Sequence, residues 1–206
     1  MEFPLVPERC ALLVNDLEEK MVYPSSPFYI PTAVEALVNL LPLVDFCRRR
    51  GIPVLFALIG SEQTREKGAA RIELPEGAVI DLSLCRLADR LGSHPDDFVF
   101  VKTWRSGCIG DVSVDYLKRR NRDTVIVAGT TLQFGCDTTV REASKLGFQV
   151  AALSDCCASR PIADQGWGEV GDDEVIKVFF STWKKAFARV MTAGEALKEL
   201  EAKAGG

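Results

Sequence analysis

Three places in this 206-residue chain put a reactive side chain at the end of an apolar run. Asp16 closes Cys10-Ala-Leu-Leu-Val-Asn15, and Lys102 follows Phe98-Val-Phe-Val101. Gly135-Cys136 follow the β-branched run 124–127, then Gly129 and the turn Thr130-Thr131-Leu132-Gln133. An aspartate and a lysine can exchange protons and pair their charges. Beside Lys102, Asp16 stays ionised at neutral pH unless desolvation wins. A cysteine at a helix start is a candidate nucleophile, because the N-terminal N–H groups favour the thiolate. Each has an ordinary alternative: an aspartate that caps a turn, a solvated lysine, a cysteine that acts as a small core hydrophobe. Thr131, Leu132 and Gln133 in the turn, and Ser106 four residues past the lysine, are the candidate substrate contacts.

Other chemistry is sharply limited. The one histidine, His94, lies in the polar turn Gly92-Ser-His-Pro-Asp-Asp97, so neither a Ser-His-Asp triad nor a multi-histidine metal site is expected. The seven cysteines are scattered and include no Cys-x-x-Cys pair; they read as reduced thiols of a cytoplasmic protein. Neither a metal nor another cofactor is expected. A net charge of −4 without a basic stripe argues against nucleic acid. Arg48-Arg49-Arg50 and Lys118-Arg119-Arg120 read as cations at helix C-termini. No signal peptide is visible at the start, and no apolar run reaches the ~18 residues of a membrane span. The partner expected is a small molecule.

The elements that position these residues follow from periodicity. Strands are expected at 10–15, 52–57, 98–101, 124–127, 148–153 and 187–191. Helices are expected from a Thr32 cap to Gly51, over 81–91, 112–120, from Cys136 or Asp137 to Gly147, over 174–185, and from a Thr192 cap over 193–203. Residues 60–77 read as a long loop able to act as a lid, and 155–171 as another loop. The alternation gives an α/β fold: one domain over 1–206, with a mainly parallel sheet of about six strands and helices on both faces. All three reactive places fall at strand carboxyl ends, where open α/β sheets bind ligands.

In order, these segments resemble the isochorismatase-like (cysteine hydrolase) superfamily. The resemblance is carried by Ala11-Leu-Leu-Val-Asn-Asp-Leu17, Val101-Lys-Thr-Trp-Arg-Ser106, the stretch from Val127 through Gly135-Cys136 to Ala143, Ser154-Asp-Cys-Cys-Ala-Ser159 and Phe187-Ala-Arg-Val-Met-Thr192. It implies an Asp16–Lys102 pair serving a substrate cleft, a cis peptide near Thr130-Thr131, and a homodimer or larger homo-oligomer. Trp167, Phe179, Phe180 and Trp183 could supply an interface, or equally pack in the core.

In the amidases of the superfamily the nucleophilic cysteine comes six residues after the strand-ending glycine and six before the basic helix position. Counting from Gly129 and back from Arg141 both give Gly135, so Cys136 is one residue late. Isochorismatases, which hydrolyse a vinyl ether, carry a Gly-Cys pair here, and this chain resembles them. It departs from them after the second strand, where their substrate-contacting glutamine is replaced by Leu58 or Ile59 and Gln63 is out of register. It departs from nicotinamidases in lacking their metal-binding histidines. The reading is a hydrolase for a small carboxylated substrate, working by Asp16/Lys102 acid–base chemistry with space at Gly135 and no cysteine nucleophile. The alternatives are a thiol amidohydrolase using Cys136, and a binding protein that kept the fold without catalysis.

Overall fold

Six apolar runs become the strands of one parallel sheet: β1 (Cys10–Asn15), β2 (Val54–Leu58), β3 (Phe98–Val101), β4 (Thr124–Thr130), β5 (Gln149–Ala158) and β6 (Arg189–Met191). The structure is a computed structural model describing residues 2–59, 82–102, 105–108 and 111–204. Strand order is β3-β2-β1-β4-β5-β6, and every pair is parallel. β1 and β4 hold the centre and are buried along their whole length, which is why both read as unbroken apolar runs.

Helices α1 (Glu19–Val22), α2 (Pro31–Arg49), α3 (Asp111–Arg119), α4 (Asp137–Lys145), α5 (Asp172–Ala186) and α6 (Ala193–Ala204) connect and cover the strands. One apolar layer joins Leu12, Val14 and Phe56 to Leu37, Leu40 and Val44 of α2 and Ala196 and Leu200 of α6. The other joins Leu13, Val125 and Val127 to Leu117 of α3, Val140 of α4 and Trp183 of α5. Alternate residues of β1 thus feed opposite layers, as the two-residue repeat of a strand requires. The fold is the expected single α/β domain with helices on both faces.

Local differences have local causes. α2 starts at Pro31, whose fixed φ suits the first helical position, and the Thr32 hydroxyl instead donates to Ser159 O at 3.1 Å. Residues 82–91 hold two 3₁₀ turns, Leu82–Leu84 and Asp89–Leu91, in place of one helix. β5 does not stop at Leu153. Its register against β4 shifts between Val127 and Gly129, and pairing resumes at Cys157 and Ala158 beyond the polar Ser154-Asp155. Thr192 caps α6 as expected: its hydroxyl accepts from Glu195 N–H, and Glu195 accepts from Thr192 N–H. Trp183 is buried, with its indole N–H donating to Asp137 at 2.7 Å, whereas Trp167 is 94% exposed. The loop expected over 60–77 lies outside the described residues. Among the described residues no helix is long and apolar enough to cross a membrane.

The central pair is held close by a glycine. Gly129 has φ +121°, and a Cβ there would lie 1.9 Å from the Asn15 carbonyl oxygen. Gly129→Ala is therefore expected to abolish soluble folded protein. Gly51→Ala, at φ +64° in open space, should cost only about 1–2 kcal/mol in urea unfolding. Equal stability of the two variants would refute the close-contact argument.

Candidate active site

The carboxyl edge of β1, β3 and β4 brings Asp16, Lys102 and Gly135 together. β2 lies between β1 and β3 and sets both charged residues: Asp16 N–H donates to Ala57 O and Lys102 N–H to Leu58 O, each at 2.8 Å. Across this strand Lys102 Nζ donates to Asp16 Oδ2 at 2.6 Å and also to Arg105 O. Both residues are buried, at 5% and 3% exposure. Asp16 turns the chain out of the strand with φ +44°, and its carbonyl accepts from the Thr130 hydroxyl at 2.8 Å.

The two Asp16 oxygens differ. Oδ2 faces Lys102, while Oδ1 is buried with no hydrogen-bond partner. Burial pushes the carboxyl up to about 6, against the charge and hydrogen bond of Lys102, which pull it down. The opposing effects leave a group that changes protonation near neutrality and has one oxygen free to exchange a proton.

The Thr130-Thr131 peptide is cis. A wide π-helical turn, Leu132–Cys136, then leads into α4. This turn decides which residues see the cleft. A Cβ built on Gly135 would lie 2.9 Å from Thr130 O and 3.0 Å from Asp16 Oδ2, so position 135 points at the carboxylate. Cys136 points the other way: it is fully buried in the apolar layer with Leu132, Val140 and Cys157. Thr139 fixes the arrangement, with its hydroxyl accepting from Gly107 N–H at 2.8 Å and lying 2.7 Å from Gly135 O.

A cleft of about 470 Å³ opens over these groups. Asp16, Thr131 and Gly135 line it, with Met21, Phe28, Ile59, Phe134 and Ile162 as apolar wall. Lys102 lies behind Asp16 and is not part of the lining. Three candidate contacts sit elsewhere. Leu132 is buried in the core, the Gln133 amide donates to Arg160 O at 2.6 Å, and Ser106 Oγ accepts from Cys108 N–H at 3.0 Å.

Two charged cleft residues were not singled out from the sequence, Arg105 and Arg160. The Arg105 guanidinium lies 4.7 Å from the Phe134 ring centroid. Arg160 keeps a buried Nε without a partner, and desolvation lowers its pKa. No carboxylate pairs with either arginine among the described residues. Arg160 lies two residues past the carboxyl end of β5, but the strand expected from the sequence stops at Leu153, so the edge rule that picked out Asp16 and Lys102 does not reach it. Among the described residues no cluster of three or more His, Cys, Asp or Glu is placed to hold a metal.

Comparison with known proteins identifies the family and the fold. The isochorismatase domain family profile matches residues 10–195. Enterobactin synthase component B of Escherichia coli K12 is 26% identical over 163 residues, covering 77% of this chain. The chain spans only 55% of that relative's length. Nicotinamidase 3 of Arabidopsis thaliana is 28% identical over 154 residues, covering 72% of this chain and 73% of the relative. A cysteine hydrolase from Pseudomonas syringae pv. phaseolicola shares the fold, with a TM-score of 0.86 at 23% identity over 98% of this chain and 97% of that one.

The raised Asp16 pKa has a stability consequence with a definite sign. A carboxyl that titrates near 3.8 when unfolded and near 6 when folded favours the folded state fully below the lower value. That contribution is lost as pH rises through the upper one. Between pH 4 and 7, wild type should lose on the order of 3 kcal/mol relative to Asp16→Asn. Urea unfolding of both proteins across this range checks it, and parallel profiles would show that Asp16 is not held neutral by burial.

Proposed function

The chain belongs to the isochorismatase domain family, and on that premise we propose a hydrolase that acts on a small carboxylated substrate by Asp16/Lys102 acid–base chemistry, without a cysteine nucleophile. The observation that carries this reading is the opposite facing of two neighbours. Position 135, aimed at Asp16, is a glycine, while the thiol of Cys136 is buried in the core.

A glycine at the apex leaves the volume above Asp16 to the substrate. In the reaction this suits best, the neutral carboxyl protonates the vinyl carbon of an enol ether through its free oxygen. The resulting oxocarbenium ion takes up water, the water's proton returns to Asp16, and the hemiketal collapses to an alcohol and a ketone. Lys102, donating to Oδ2 at 2.6 Å, stabilises the transient carboxylate. Arg160 and Arg105 supply guanidinium groups suited to a substrate carboxylate, for which planar bidentate pairing is favourable. The apolar wall of Phe28, Ile59, Phe134 and Ile162 covers the carbon skeleton. With Ile59 on the wall, substrate selection rests on shape and the arginines.

Turnover of carboxylated vinyl ethers tests the reading. Asp16→Asn should lower kcat by roughly 10²–10⁴-fold, the usual contribution of a positioned general acid. Cys136→Ala should leave kcat within about threefold, because that thiol touches core atoms only. The wild-type rate should fall as pH rises past about 6, as the acid form is lost. Loss of activity in Cys136→Ala, with a rate that rises with pH on amides, would instead establish a thiol amidohydrolase. No turnover of vinyl ethers, amides or ureides alongside tight ligand binding would establish a binding protein.

A further inference from the structure

A second cleft, of about 520 Å³, lies at the opposite edge of the sheet, where β2 and β3 begin. It gathers residues that are far apart in sequence: Arg48 from the end of α2, His94 from the turn before β3, Arg120 just past α3 and Arg122 before β4. The two arginine clusters that read from sequence as separate helix-end cations thus face one space.

The cations in this cleft are not equivalent. Arg48 is neutralised: its guanidinium grips Asp97 at 2.7 and 3.1 Å and also donates to Leu91 O. Arg120 and Arg122 pair with no carboxylate among the described residues. Arg120 is held ready, its guanidinium 3.8 Å from the Tyr116 ring centroid, with Tyr116 stacked in turn on Phe98 at 4.2 Å. Arg122 uses one terminal nitrogen on Pro7 O at 2.8 Å, and its Nε is buried without a partner. His94 Nδ1 accepts from Asp96 N–H at 3.3 Å, which leaves Nε2 as the ring nitrogen open to a ligand. The remaining acid, Asp96, is 93% exposed, with its Oδ2 3.7 Å from His94 Nδ1, and its charge is screened by water. Two of the terminal carbonyls of α3, those of Leu117 and Lys118, already accept from Arg120, Asn121 and Arg122 N–H groups.

We propose that this cleft is a binding site for a phosphate group, either free or as a phosphate monoester. Two arginines from the turn between α3 and β4, without carboxylate partners among the described residues, and the His94 ring from a second segment line one cleft. That suits a tetrahedral oxyanion with several oxygens better than a carboxylate, which one planar arginine saturates. Both faces of Tyr116 are occupied, so the ring serves to hold Arg120 rather than to stack a base.

The lone histidine provides the test, since its imidazole C2 proton is a single NMR signal from inside this cleft. At fixed pH and constant ionic strength, inorganic phosphate or glycerol phosphate should shift that signal saturably, while acetate should not. Tighter binding of glycerol phosphate than of phosphate would identify a metabolite ligand, and the reverse free phosphate. Arg120→Ala, at an exposed position, should fold normally and weaken binding about tenfold, as loss of one charge-assisted contact would. Arg122→Lys, which keeps the charge and removes Nε–H, should also weaken it. Arg160→Ala should leave binding unchanged. The proposal is overturned if the signal does not saturate, if acetate acts equally, or if binding survives Arg120→Ala and is lost in Arg160→Ala, which would place the anion in the catalytic cleft.

Discussion

Everything at the carboxyl edge depends on keeping two opposite charges out of water. Removing a carboxylate and an ammonium from solvent costs several kcal/mol each, and the attraction between them repays this only in good geometry. Here the geometry comes from β2, whose successive carbonyls at Ala57 and Leu58 fix the backbones of Asp16 and Lys102. The repayment is one-sided. Lys102 has two acceptors, whereas one oxygen of Asp16 has none. An acid supported on one oxygen alone retains its proton longer than a surface aspartate, and the proposed acid–base role rests on that incompleteness.

The same edge shows how a turn can select a function without changing the fold. From Thr131 to Asp137 the chain runs in a wide turn instead of entering α4 directly. Thr139 ties that turn to Gly107 in the loop behind Lys102, so the lysine segment and the glycine are parts of one clamp. Within it, neighbouring positions look into different media: Gly135 faces the cleft and Cys136 the apolar layer. A thiol there contributes packing, as buried free cysteines ordinarily do.

The sheet was legible because its central strands are covered on both faces, which writes burial into the sequence as continuous apolar runs at 10–15 and 124–127. Asp16, Lys102 and Gly135 were legible because strand ends in a parallel sheet converge on one edge. What failed to read was whatever depended on non-local contacts. The resumption of β5 past Ser154-Asp155 follows from a register shift against β4, invisible along one strand. The placement of Leu132, Gln133 and Ser106 away from the cleft follows from the turn's geometry, since residue type alone does not fix facing. Arg160 and Arg105 carried no local pattern, and what marks them out is a place in the cleft without a carboxylate partner among the described residues.

Burial of the cysteines changes what thiol chemistry can report. Cys10, Cys47, Cys108, Cys136, Cys156 and Cys157 are all buried, and burial holds Cys10, Cys47 and Cys108 up to about 12. An alkylating reagent can reach such groups only when the chain around them opens, so its rate follows the opening equilibrium more than nucleophilicity. Slow inactivation by iodoacetamide would then time the breathing of the core, and a ligand that protected against it would do so by tightening the fold.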